Sequence, residues 1–88
     1  MSGKARCVNG VMTVDIHEMY APDAKKYLER LLKTAGNEVR EIVIVHGYHS
    51  GQALMRTVRT EVKSRRIHHR GLDMNPGITI YYLREKQP

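Results

Sequence analysis

The chain is poor in cysteine. Cys7 is the one cysteine among 88 residues, so no intramolecular disulfide can form, and a free thiol in a reducing cytoplasm is the expected setting. No apolar run approaches the roughly 18 residues that a membrane-spanning helix needs, and no signal-peptide pattern opens the chain. The expectation is therefore a protein that neither spans a membrane nor is secreted. No Gly-Lys-Ser/Thr follows the glycine-containing loop, which excludes a nucleotide P-loop. Internal repeats, linkers and low-complexity stretches are lacking too. Between Arg56 and Arg70 acids are scarce, with Glu61 alone facing Arg56, Arg59, Lys63, Arg65, Arg66 and Arg70.

That last scarcity carries information. The window holds +5 of a formal net charge of +6, with His68 and His69 able to add more, and the remainder is close to neutral. A concentrated basic surface raises the local concentration of polyanions and commonly meets nucleic-acid backbone. A solvated basic face that aids solubility is the alternative on charge alone. A chain of this size makes one domain and buries roughly 60–65% of its unfolded surface, a small but sufficient core.

Residues 1–10 lack periodicity and suggest a flexible arm. Val11 to Ile16 has strand patterning, with Val14 and Ile16 on one face and Thr13 and Asp15 on the other. Ala21-Pro22-Asp23 is a helix start. Ala24, Tyr27, Leu28, Leu31, Leu32 and Ala35 then recur at helical spacing, and Gly36 fits a left-handed C-terminal turn. Val39 to Val45 is a strand whose unbroken Ile42-Val43-Ile44-Val45 run suits a buried position. Ser50 can cap a second helix with Leu54, Val58 and Val62 inward and Met55 at the margin. Ile67 to Leu72 and Ile78 to Leu83 are strands joined by the Asp73-Met74-Asn75-Pro76-Gly77 turn, and 84–88 is a short tail. The expected fold is an α/β two-layer sandwich in the order βαβαββ: a mixed four-stranded sheet with two helices, its first two strands parallel and its last two antiparallel.

Two histidine motifs end the apolar runs, and the helix between them brings both to one edge of a parallel pair, where α/β sheets keep their active sites. Asp15 and His17 are two apart on an extended segment and share a face. The carboxylate could fix the imidazole tautomer and raise its basicity; equally, Asp15 could cap the following turn while His17 packs at a strand end. In His46-Gly47-Tyr48-His49-Ser50-Gly51, glycines flank a helix start where N–H groups can seat a phosphate, and Tyr48 could stack on a base. Asp15, His17, His46 and His49 could also offer three nitrogens and an oxygen to Zn²⁺ or Mn²⁺. No local ligand spacing supports a structural metal, so a loosely held catalytic divalent ion, Mg²⁺ or Mn²⁺, is the cofactor to consider. Arg56, Arg59 and Lys63 form a helical stripe that leads away from this loop along a nucleic-acid backbone. His68 and His69, adjacent on a strand, should face opposite ways and chelate poorly.

These motifs resemble a known family. Val14-Asp15-Ile16-His17 is similar to the LDLHG signature of the small MutS-related (Smr) domain. His46-Gly47-Tyr48-His49-Ser50-Gly51 is similar to its HGxGTG loop, and Gly77-Ile78-Thr79-Ile80-Tyr81-Tyr82-Leu83 to its closing strand. The second helix, Ala53 to Lys63, resembles the family's leucine-arginine pattern, so the likeness covers about residues 11–83. The resemblance implies a fold similar to the C-terminal domain of a bacterial translation initiation factor. It also implies an endonuclease that nicks branched or duplex DNA or cuts RNA, including messenger RNA on stalled ribosomes. Cleavage would map onto Asp15 and His17, and substrate binding and activity onto His46, Gly47 and Gly51. Two positions depart from the pattern. Glu18 replaces the first-motif glycine and sets a negative charge beside the phosphate seat, and His49 replaces the second glycine of the loop.

The expected function is nucleic-acid binding with phosphodiester cleavage. His17, oriented by Asp15, would deprotonate a ribose 2′-hydroxyl or a water, and His46 or His49 would protonate the leaving oxygen. Gly47, Tyr48, Ser50, Gly51, Arg56, Arg59, Lys63 and Arg66 would hold the nucleic acid. Partners are DNA or RNA and, by resemblance, the ribosome, with no membrane. The alternative is a non-catalytic module that binds nucleic acid or ribosomes through Arg56, Arg59, Lys63 and Arg66.

Overall fold

A computed structural model describes residues 4–48 and 52–86. Five strands form one mixed sheet: β1 (Lys4–Val8), β2 (Val11–Asp15), β3 (Glu41–Val45), β4 (Ile67–Leu72) and β5 (Ile78–Leu83), in the spatial order β1-β2-β3-β5-β4. β2 and β3 are parallel, and the other neighbouring pairs are antiparallel. Helix α1 (Ala21–Thr34) connects β2 to β3, and α2 (Ala53–Arg56) continues as a π-helical turn over Thr57–Glu61. The α/β class, the parallel central pair and the antiparallel final pair agree with the sequence.

The strand count is five rather than four. β1 comes from residues that lack apolar periodicity but precede Asn9-Gly10, whose φ values of 53° and 83° are both positive. A two-residue turn with two left-handed residues matches the twist of flanking strands and drives a tight hairpin. β1 therefore pairs antiparallel along β2, from Lys4 opposite Asp15 to Val8 opposite Val11. The Gly10 carbonyl also accepts the N–H groups of Arg40 and Glu41, which ties the hairpin to β3.

The core lies between one sheet face and the helices. Val14, Ile42, Ile44 and Tyr81 from the strands join Ala24, Leu28 and Leu32 of α1 and Leu54, Val58 and Val62 of the second helical segment in one buried cluster. α1 does not end in a left-handed Gly36. Ala35 is already extended (φ −64°, ψ 135°), and among the described residues only Gly10 and Gly47 are glycines with positive φ. The reason is Arg66, whose guanidinium reaches the carbonyls of Leu32, Ala35 and Gly36. A C-terminal glycine motif satisfies such end carbonyls with backbone donors; here a side chain does so.

The second helix is shorter and wider than its apolar spacing suggests. Gln52, not Ser50, flanks its first residue. The buried Tyr81 hydroxyl donates to the Val58 carbonyl at 2.6 Å, the acceptor that an α-helix would offer to the Val62 N–H. That N–H instead reaches back five residues to Thr57 O at 3.0 Å, a π-type bond. Val62 is then extended, so Lys63 leaves the helix and the expected Arg56-Arg59-Lys63 stripe is interrupted.

Candidate nucleic-acid and catalytic site

Parallel pairing sets Asp15 opposite Val45, and Val45 lies opposite Ile78. The segments after β2 and β3 and the turn before β5 therefore gather at one end of the sheet. Asp15 and His17 project from the same side, with buried Ile16 between them. One Asp15 oxygen, Oδ1, accepts both the His17 backbone N–H at 3.0 Å and the ring Nδ1–H at 2.5 Å. Nδ1 thus carries a proton and Nε2 is the working nitrogen. Glu18 reaches that nitrogen from the other side, with Oε2 3.4 Å from Nε2. The Asp15 hydrogen bond and charge, followed by the weaker pull of Glu18, hold the His17 pKa above its ordinary 6.5. The His17 side chain is 48% exposed and that of Glu18 76%.

The second motif is built differently from its sequence expectation. His46 is buried, and both ring nitrogens are engaged: Nδ1 with the Gly47 carbonyl and Nε2 with Thr79 Oγ1, each at 2.9 Å. Arg59 Nε donates to the same Thr79 oxygen at 3.1 Å. The Gly47 carbonyl can only accept, so Nδ1 carries a proton, and because burial disfavours the charged ring, Nε2 accepts the Thr79 hydroxyl proton. The ring is therefore neutral. Burial lowers its pKa, and the Arg59 charge lowers it further against the Gly47 bond. His46 is a buried anchor for this loop, and its nitrogens do not face a substrate.

Gly47 has φ of 85°, and a Cβ on it would lie 3.3 Å from His17 Cβ, so the two motifs are in close contact. Its N–H does not point outward as a phosphate donor. It donates to the Gly77 carbonyl at 3.0 Å, beside the His46 N–H at 2.9 Å. A Cβ on Gly77 would press on Gly47 Cα and C at 3.2 Å, so a side chain there would push the loop back by a few tenths of an ångström. Tyr48, expected to stack on a base, is 57% exposed at this end, and Tyr20, which sequence reasoning passed over, is 72% exposed. His49, Ser50 and Gly51 lie outside the described residues.

Among the basic residues the structure separates two kinds. Arg56, Lys63 and Arg65 are exposed. Arg59 is half-buried, with Nε held by Thr79. Arg66, assigned to nucleic acid from the sequence, is only 7% exposed and donates to four backbone carbonyls, the fourth being Arg84 O at 2.8 Å. It is a structural residue at the other end of the domain. Arg70 donates to the Val62 carbonyl and lies over the Tyr81 ring. The basic window therefore offers solvent fewer cations than its composition promises.

The described donors do not fit the expected divalent ion. His46 has no nitrogen left to coordinate, and Asp15 and His17 already bind one another. Among the described residues no three His, Cys, Asp or Glu side chains gather as a metal site. His68 and His69 do not face opposite ways: a register shift in β4 brings their Nδ1 atoms to 2.7 Å, and His69 stacks on Tyr82. Thr79, the residue that fixes His46, escaped the sequence: the Ile78-Thr79-Ile80 alternation turns a threonine outward, whereas Thr79 is buried and the two isoleucines are half-buried. Comparison of the chain with protein-family models, with curated proteins and with solved structures returned no match.

Proposed function

We propose that this is an Smr-type domain that binds nucleic acid at the histidine end of its sheet and cleaves a phosphodiester bond there. The observation that carries this reading is the Asp15–His17 pair, a half-exposed imidazole whose tautomer is fixed by a carboxylate at 2.5 Å. Such a ring can move a proton at Nε2. An approaching phosphate repels the exposed Glu18 carboxylate from Nε2. The freed nitrogen takes the proton of a ribose 2′-hydroxyl in RNA, or of a water in DNA, as that oxygen attacks phosphorus. The leaving oxygen departs with a proton from solvent. Tyr20 and Tyr48, exposed on the two adjoining loops, supply aromatic surfaces for bases, and such stacking is worth about 1–3 kcal/mol per base. His46, Thr79 and Arg59 are positioning residues: they hold the loop that abuts His17. The family resemblance supports two settings, branched or duplex DNA and RNA that includes messenger RNA on stalled ribosomes.

A second reading, a binding module without cleavage, is favoured by one observation: Glu18 occupies the approach to Nε2. The test uses end-labelled structured RNA and branched DNA, with and without EDTA. Wild type, Asp15→Ala/His17→Ala and Glu18→Gly proteins are compared. Cleavage by wild type, lost in the double variant and increased in Glu18→Gly, is the expected result. No cleavage by any of the three, with salt-sensitive binding equal in all, refutes the nuclease and leaves the binding module.

A further inference from the structure

At the opposite end of the sheet, where β4 begins and β5 ends, a cleft of about 910 Å³ opens between the last turn of α1 and the segment that follows the π turn. Lys33, Lys63, Arg65, Arg84 and Lys86 line it over the buried Arg66. Its acids are Glu29 and Glu85. The Glu29 carboxylate is already taken by the Lys63 backbone N–H at 2.8 Å and by Lys25 Nζ at 2.9 Å, which together hold its pKa below the ordinary value. Among the described residues none of the five cations forms a salt bridge. Lys63 Nζ donates to Thr60 O at 3.3 Å and Arg84 Nη2 to Ile67 O at 3.1 Å, neutral carbonyls that leave both charges uncompensated, and Arg66 already satisfies the α1 carbonyls. Five exposed like charges around a concavity repel one another and focus an attractive field on anions.

The wall chemistry narrows the ligand. Ile67 is the single apolar side chain in the lining, and no aromatic contributes, whereas pockets for small organic molecules are mostly apolar and aromatic. A ligand held here binds by repeated negative charge. The cleft is also joined to the histidine end. α2 starts just past the His46 loop, and the chain that leaves the π turn delivers Lys63 into the cleft. The two ends are one strand length apart, about 17–20 Å at ~3.3 Å per residue.

We infer that this cleft is a second phosphate-backbone seat, which grips the same nucleic-acid strand one strand length away from the bond at His17. It rests on the nucleic-acid reading above and adds to it where the strand runs.

The test measures fluorescence anisotropy of a labelled duplex and a labelled single strand, each long enough to span the sheet, across a salt series. Lys33→Glu/Arg65→Glu/Lys86→Glu is compared with Arg6→Glu/Lys26→Glu/Arg30→Glu, which changes net charge equally with exposed residues outside the cleft. Lys33→Gln/Arg65→Gln/Lys86→Gln guards against misfolding by charge reversal, and circular dichroism checks each protein. The cleft triple is expected to lose about tenfold or more in affinity and to flatten the log–log salt slope by about two on the single strand and nearly three on the duplex, the share of three phosphate contacts. The control triple should lose less than about threefold on the same scale. Equal losses in both triples overturn the cleft and leave a diffuse charge effect. No loss in the cleft triple overturns it while the nucleic-acid reading stands. Failure of wild type to bind either probe overturns both.

Discussion

Replacing Arg66 by methionine removes a guanidinium but keeps an unbranched apolar stem in nearly the same space. In the native domain Nη1 donates to Ala35 O at 2.6 Å and to Leu32 O at 3.2 Å, Nε to Arg84 O at 2.8 Å, and Nη2 to Gly36 O at 3.3 Å. Hydrogen bonds from a charged donor contribute about 1.5–3 kcal/mol each. Taking the two short bonds at the lower figure gives about 3 kcal/mol. The two longer bonds and the favourable dipole term at the end of α1, about 0.5 kcal/mol, are offset by the desolvation that methionine avoids. A loss of about 3 kcal/mol lowers Tm by roughly 12–24 °C in a domain of this size. Thermal unfolding followed by far-UV circular dichroism reads it directly. Arg66→Lys should recover only part of the loss, because one ammonium cannot reach carbonyls on two segments. A fall of less than about 4 °C in Arg66→Met, equivalent to under 1 kcal/mol, refutes the structural assignment. Loss of nucleic-acid affinity at unchanged Tm would return Arg66 to the binding surface.

Further outcomes follow from the same geometry. Tyr81→Phe strips the buried Val58 carbonyl of its partner and should cost about 1–3 kcal/mol by urea unfolding, with no cost refuting the account of the π turn. Gly47→Ala forces a side chain into a left-handed residue against His17, so stability should fall by about 1–2 kcal/mol and cleavage with it. His46 has a depressed pKa because it is buried; its neutral form therefore stabilises the fold fully above the ordinary 6.5. That share is lost as pH falls through the folded value, and His46→Gln should unfold with a flatter dependence on pH below 6.5. His17 has a raised pKa owing first to Asp15, so a rate that needs it as a base should climb through a midpoint above 6.5, and Asp15→Asn should move that midpoint down.

Where sequence patterning encodes burial, it was legible. The α1 spacing and the inward pair Val14 and Ile16 follow from one buried face, and Ala24, Leu28, Leu32, Val14 and Ile16 are buried as expected. The paired loops at one sheet edge follow from the parallel crossover. What escaped is local or directional. Asn9-Gly10 marks a hairpin by turn chemistry alone, because an edge strand such as Ala5-Arg6-Cys7-Val8 carries no apolar period. The π turn depends on where a distant tyrosine hydroxyl points, which no spacing within the helix records. The bulge that joins His68 to His69 is likewise a one-residue shift in pairing, invisible to an alternation count.

The same distinction sorts the residues that carry chemistry. A histidine or arginine in the sequence advertises donors and charge, but its availability depends on whether backbone and side-chain acceptors reach it first. His46 and Arg66 have the residue types of a proton donor and a phosphate clamp, yet each is engaged on every nitrogen that matters. His17 differs because its partners leave one nitrogen at the surface, opposed by an exposed carboxylate. Removing that carboxylate is therefore the most discriminating change in the domain. Glu18→Gly leaves the Asp15 bond, the tautomer and the Gly47 contact in place, opens the approach to Nε2 and removes the smaller of the two upward pulls on the His17 pKa. If cleavage rises, the charge at position 18 restrains a working acid–base group. If binding rises while cleavage stays absent, His17 serves the phosphate as a cation and the domain is a holder of nucleic acid.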